Sequence, residues 1–295
     1  KKLKKKKDLK KILFIVVSKS GNTIETLSNV IALKVVKKNS KNIIIISEKS
    51  NNSLYLLSQK MKLYHIEHKN YIGGRYSVLS EVGMVPAYLM GLNIQRFRKN
   101  LLNHFKTKNK KFLKDSSVML AKLLEGNKFK NLIFFNYVPK LHKFLYWNQQ
   151  LIAESLGKKG KGFLPLISKA PKDNHSLLQL YLDGPKDKIF YIFSEDMDGN
   201  KKIKINKLDK RINFLHNKSL SQIKNAQKNA FIEVLKKNNI PFREFQIRNF
   251  SEDALGEFFS YFMLEIAIIG KLANINPFNQ PAVEQVKINT KKLLV

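Results

Sequence analysis

Two short apolar runs rich in β-branched residues, Ile12 to Val17 and Ile43 to Ser47, bracket a segment whose apolar residues fall at Ile24, Leu27, Ile31 and Val35. Uninterrupted runs of this kind suit strands buried on both faces, and a spacing of three and four suits one face of a helix. Strand, helix (Thr23 to Lys38) and strand in that order make a βαβ unit, which predicts a parallel sheet. The alternation returns in the second half. Asn131 to Tyr137, Ile189 to Phe193 and Phe242 to Arg248 read as strands, and Lys143 to Leu156, Leu220 to Asn238 and Leu255 to Leu272 as helices. A helix interrupted by Pro86 is expected over Ser77 to Leu92. The fold class is therefore α/β, with parallel sheets flanked by helices in two domains. The first is expected over 1–95, a lysine-rich helical connection over 96–130, and the second over 131–295 with a helical tail.

Composition removes several classes. With 43% hydrophobic residues among 295 the chain can bury a sizeable core. It contains no cysteine, which excludes disulfides and thiolate metal sites. The longest apolar stretch, Phe258 to Ile269, carries Glu265 and reads as a buried amphipathic helix, not a membrane span. Lys1 to Lys11 is basic but lacks the apolar core of a secretory signal, so a cytoplasmic location is expected. The net charge of +33 could mark a nucleic-acid footprint. Its even spread, the dominance of lysine and the lack of a nucleic-acid-binding motif favour compositional drift that also draws anionic substrates. No nucleic-acid or membrane partner is expected.

Several islands carry chemistry. Ser18-Lys19-Ser20-Gly21-Asn22-Thr23 follows a strand and opens a helix, and offers three hydroxyls, a lysine and free backbone N–H groups. That is the make-up of a phosphate site; the bland alternative is a capped turn, with Asn22 and Glu25 spaced like an N-cap and its partner. Gly73-Gly74-Arg75 pairs a turn with a guanidinium suited to an oxyanion, although such an arginine is commonly a solvated surface charge. Glu154 in Glu154-Ser155-Leu156-Gly157-Lys158 and His175 in Asp173-Asn174-His175-Ser176 are a carboxylate and an imidazole, the usual tools for moving protons. Taken singly, each would be read as solvent-facing. The remaining histidines, His65, His68, His104, His142 and His216, show no ligand spacing, so no metal is assigned.

Together the islands resemble the glucose-6-phosphate isomerase family. Ser18 to Leu27 is similar to its phosphate loop and Gly73 to Gly83 to its arginine motif. Glu154 to Lys158 and Asp173 to Gln179 are similar to its base and histidine motifs, and Asn276 to Lys287 to its closing signature. The five occur in the family's order from about Leu13 to Leu294. The resemblance implies two α/β domains of the sugar-isomerase (SIS) type. It also implies isomerisation of glucose 6-phosphate and fructose 6-phosphate through a cis-enediolate, without cofactor or metal. Ser18, Lys19, Ser20 and Thr23 would hold the phosphate, and Glu154 would carry a proton between C2 and C1. Arg75, with the backbone at Gly74, would steady the enediolate. His175 and Lys287 would move protons in ring opening, and Gln280 would line the pocket. Family enzymes are homodimers in which the histidine crosses the interface, so His175 would serve the neighbouring subunit.

One departure stands out. The family has a glycine-rich strand-turn, with a serine for the phosphate, upstream of the phosphate loop, and no such segment precedes Ser18. The expectation is a first domain lacking its N-terminal part. Two alternatives compete: a non-catalytic sugar-phosphate sensor, which would not need Glu154, His175 and Lys287 together, and an isomerase that also accepts mannose 6-phosphate.

Overall fold

Ile43, Ile45 and Ile46 are fully buried, as a doubly covered strand requires. A computed structural model of the chain describes residues 9–195, 201–205 and 210–294, and the basic start over residues 1–8 lies outside them. Two compact units emerge, residues 1–99 and 100–295.

In the first unit the elements run β1 (Phe14–Val17), α1 (Ile24–Leu33), β2 (Ile43–Ser47), α2 (Ser53–Met61), β3 (Tyr64–Glu67), α3 (Glu81–Leu89) and α4 (Ile94–Arg98). The strands form one parallel sheet in the order β1-β2-β3, with Val16 opposite Ile45 and Ile46 opposite Ile66. Val16, Val30, Ile43, Ile45, Leu54 and Leu63 make its core. Burying each side chain of this size contributes roughly 1.5–3 kcal/mol. Three sequence expectations shift. Helix α1 stops at Leu33 because Lys34 turns left-handed at φ 54°. The helix expected from Ser77 begins at Glu81, capped by Ser80, while Gly74–Leu79 winds as a 3-10 segment. Pro86 does not interrupt α3, which continues to Leu89.

The second unit contains α5 (Thr107–Glu125), β4 (Asn131–Asn136), α6 (His142–Leu156), β5 (Leu164–Lys169), α7 (Asp173–Ser176) and α8 (Leu178–Asp183). It continues with β6 (Lys188–Glu195), α9 (Leu220–Lys237), β7 (Phe242–Ile247), α10 (Glu252–Leu272) and α11 (Pro281–Leu293). Its sheet is parallel in the order β5-β4-β6-β7. The central strands, β4 and β6, carry unbroken apolar runs, whereas the flanking strands β5 and β7 alternate between buried and exposed residues.

Ile133, Phe135, Phe190, Ile192, Phe231 and Leu235 pack one face of this sheet under α9. On the other face Phe193 stacks on Phe245, with centroids 5.0 Å apart, and both meet Phe262 of α10. Glu265, in the middle of the apolar α10, is buried and accepts from Arg243 Nη1 at 2.8 Å, Tyr261 Oη at 2.7 Å and Ser116 Oγ at 2.6 Å. The carboxylate is tolerated there because the guanidinium of β7 and the hydroxyl of α5 meet it. Among the described residues no helix is long and apolar enough to cross a membrane.

Candidate active site

The loop after β1 lies at the carboxyl end of the first sheet and is tied to its neighbours. Ser18 Oγ and Thr23 Oγ1 share a hydrogen bond of 2.7 Å, and Lys19 Nζ lies 3.6 Å from Glu48 Oε1. Ser20 is exposed, and its hydroxyl accepts from Asn22 N at 3.4 Å. Gly21 sits at φ +63°, and a Cβ there would come within 1.7 Å of Asn52 Oδ1. Both the backbone conformation and the close approach of Asn52 demand glycine. Asn22 is not the cap that its spacing suggested. Thr23 holds the N-cap position, and Asn22 Oδ1 instead accepts from Ser53 N at 2.9 Å and Ser53 Oγ at 2.8 Å. The free donors at the start of α2 outcompete those of Asn22's own helix. Leu54 N also donates to Gly21 O at 3.0 Å. The loop is thereby fixed with hydroxyls and a lysine at a helix start, an arrangement suited to a phosphate.

Arg75 follows β3 on the 3-10 segment Gly74–Leu79. It is not a solvated surface charge: it is 3% exposed, and its Cζ lies 5.3 Å from the Tyr76 ring centroid. The turn before it is braced by buried His68, whose Nδ1 meets Glu81 of α3 and whose Nε2 lies 3.1 Å from Ile72 O. Sequence reading passes over His68 because its partners lie four and thirteen residues away, with no spacing of metal ligands. Gly74 has open space where a Cβ would stand, so its backbone can be approached closely.

In the second unit Glu154 is half-buried on the last turn of α6 and accepts from Gln150 Nε2 at 3.0 Å. It lines a cavity of about 830 Å³ together with Gln280, 126 residues away in sequence. Pro281 starts α11 directly after Gln280, where its missing N–H is no loss. The residues lining this cavity do not include His175 or Lys287. Lys287 is exposed on α11 and pairs with Glu284 at 2.7 Å.

His175 lies on α7, at the carboxyl end of β5, and is exposed. The parallel pairing of β4 and β5 makes α6 run back toward the amino ends of the strands. Gln149 of α6 accordingly donates to Pro165 O at the start of β5, at 2.7 Å. Glu154 therefore lies at the amino end of this sheet and His175 at the carboxyl end. A six-residue strand, about 20 Å long, separates those levels. The loop after β1 thus lies beyond the carboxyl end of its sheet, whereas Glu154 lies at the amino end of the other sheet. The His175 turn is pinned by Asp173, which accepts from Ser168 Oγ at 2.9 Å, Lys169 N at 2.6 Å and Ser176 Oγ at 3.1 Å.

A model of the phosphoglucose isomerase family matches residues 1–294. The chain belongs to that family. Among the phosphoglucose isomerases it resembles, the "Probable glucose-6-phosphate isomerase" of Methanococcus maripaludis is 34% identical over 295 residues, covering 95% of this chain and 65% of the relative. The glucose-6-phosphate isomerase of Methanocaldococcus jannaschii is 32% identical over 291 residues, covering 96% of this chain and 72% of the relative. The chain thus spans about two thirds of the length of these family members. A solved glucose-6-phosphate isomerase from Chlamydia trachomatis superposes with a TM-score of 0.77 at 19% identity, over 99% of this chain and 61% of the other. A hypothetical protein from Thermus thermophilus gives 0.86 at 24% identity, over 99% and 74%. These likenesses establish the SIS-type α/β fold expected from the sequence.

Proposed function

We propose that this phosphoglucose isomerase chain interconverts glucose 6-phosphate and fructose 6-phosphate through a cis-enediolate, in glycolysis and gluconeogenesis in the cytoplasm. The observation that carries the reading is the cavity in which Glu154 and Gln280, drawn from two separate family motifs, face a common space. Glu154 is the base: its carboxylate takes the proton from C2 of the open-chain aldose and returns it to C1. Glu154 is half-buried, and a sugar that fills the cavity would exclude more water from it, which favours abstraction of a weakly acidic C–H proton. Gln280 orients the sugar through its amide. Ser18, Lys19, Ser20 and Thr23 bind the phosphate with hydroxyls, an ammonium and backbone donors. Arg75, with the backbone at Gly74, stabilises the oxyanion that develops as C2 loses its proton. Lys287 and His175, neither of which lines the Glu154 cavity of a single chain, are given the proton transfers of ring opening by the family motifs in which they lie.

His175 acts in the site of a second copy, in a homodimer. The support is topological, since His175 and Glu154 of one chain stand at opposite ends of the same sheet. The domain plan proposed with this function is a first SIS domain over 1–95, a helical connection over 96–130 and a second domain over 131–295. The test is a coupled assay in which fructose 6-phosphate is supplied and glucose 6-phosphate is read through its dehydrogenase as NADPH absorbance. Turnover is expected. A chain that binds fructose 6-phosphate but never turns it over would be the sugar-phosphate sensor instead.

A further inference from the structure

Helix α6 ends just past Glu154, where Gly157 N donates to Ala153 O at 2.9 Å, and the chain then makes a tight turn over Lys158-Lys159-Gly160-Lys161. Lys158 and Lys161 exchange backbone hydrogen bonds of 3.0 and 2.9 Å, and the two central residues are left-handed, at φ 53° and 71°. That is the backbone of a two-residue hairpin turn of the stiff, primed kind. Three ammonium groups leave this turn for one target, the stretch of chain after α10. Lys161 Nζ reaches Ala273 O at 3.4 Å, Lys159 Nζ reaches Asn274 O at 3.0 Å, and Lys158 Nζ reaches Asn276 O at 2.6 Å. Lys158 Nζ also donates to Ser155 O, at 2.9 Å. Cations are well placed at a helix C-terminus, where carbonyls lack partners inside the helix.

Lys158 differs from the other two in what it joins. Ser155 follows Glu154 directly, and Asn276 lies four residues before Gln280. One ammonium therefore bridges the two walls of the cavity, one carrying the carboxylate and the other the amide. We propose that Lys158 is a positioning residue. By bonding Ser155 O and Asn276 O together it sets the distance across which Glu154 and Gln280 hold a sugar. The proposal rests on the reading of Glu154 as the base. A base displaced by about 1 Å loses on the order of a hundredfold in rate, so a bridge at this point acts on proton transfer more than on affinity.

The test is Lys158→Met, which keeps the length of the stem and removes all three donors. On folded protein, kcat is expected to fall about tenfold to a hundredfold while KM changes by less than about threefold. The isotope effect on kcat with glucose 6-phosphate deuterated at C2 is expected to rise, because proton transfer becomes the slow step. A lysine that served stability alone would lower the melting temperature without moving that isotope effect. Lys158→Arg, which retains several donors, is expected to recover most of kcat. If Lys158→Met does not fold, Lys158→Leu, which also lacks donors, is measured in its place, with the same expectation. An unchanged kcat and isotope effect, or a loss confined to KM, would overturn the proposal. Glu154→Gln is assayed alongside. Turnover kept in that variant would overturn the base assignment beneath the proposal. Turnover lost there, with Lys158→Met unimpaired, would overturn the positioning role alone.

Discussion

Arg75 shows what a single residue contributes and how far its type predicts it. As one of 55 basic residues it carries little information, and the glycine pair before it suggests an exposed turn. In the fold it is buried beside Tyr76. On the oxyanion role proposed for it, Arg75→Ala is expected to lower kcat by about a hundredfold with a smaller change in KM, since the charge it would meet develops on the way to the enediolate and is absent from the bound sugar. Steady-state kinetics on the folded variant checks this, and a change confined to KM would make Arg75 a ground-state binder. The base role proposed for Glu154 rests on its motif, since a helix glutamate has no distinguishing periodicity. The spacing of Asn22 misleads because its true partner, Ser53, is 31 residues away.

Elements that are buried on both faces are easy to find in the sequence, and edge elements are not. β2, β4 and β6 announce themselves by unbroken apolar runs. β3 (Tyr64–Glu67) escapes notice because half of its residues are exposed, and β5 because it is half exposed and contains Pro165. A proline is compatible with a strand at the sheet edge, where β5 lies. α7 is equally hidden, since its single turn is held by Asp173 rather than by propensity. Burial pushes the Asp173 carboxyl up, but the Lys169 N–H, the Ser168 and Ser176 hydroxyls and the Lys172 charge outweigh it and hold the group below its ordinary value of 3.8. A carboxyl with a depressed folded pKa contributes stability that is present above the unfolded value and is lost as pH falls through the folded one. Asp173→Asn is expected to be less stable than the parent near neutral pH, with the gap closing as the pH drops below 3.8. Urea melts in neutral and acidic buffer decide it. A gap that stays constant with pH would mean that Asp173 does not hold the turn through its charge.

At the scale of the whole molecule, charge and fold answer different questions. A net charge of +33 bears on solubility and on attraction of anions, and it leaves the fold class untouched. Contacts between distant segments are not legible at all. The bridge from Lys158 to Asn276 spans 118 residues and has no sequence signature. The placement of Glu154 and His175 at opposite ends of one sheet likewise emerges only from the strand order, and it leads to a prediction about assembly. Mixing the inactive variants Glu154→Gln and His175→Ala, after dissociation and reassociation, is expected to restore about a quarter of the parent activity. Half of the dimers are then mixed, and each of these has one intact site. A mixture no more active than its components would confine both residues to one chain's own site.

Transfer of a proton between C2 and C1 by Glu154, as proposed, is tested by isomerisation in deuterium oxide. Followed by NMR, the parent chain is expected to place solvent deuterium at C1 of fructose 6-phosphate, because a proton held on a carboxylate exchanges with water. Glu154→Gln is expected to lose turnover by at least about a hundredfold. Rapid isomerisation with no deuterium incorporated, or with the Gln variant undiminished, would rule out Glu154 as the base.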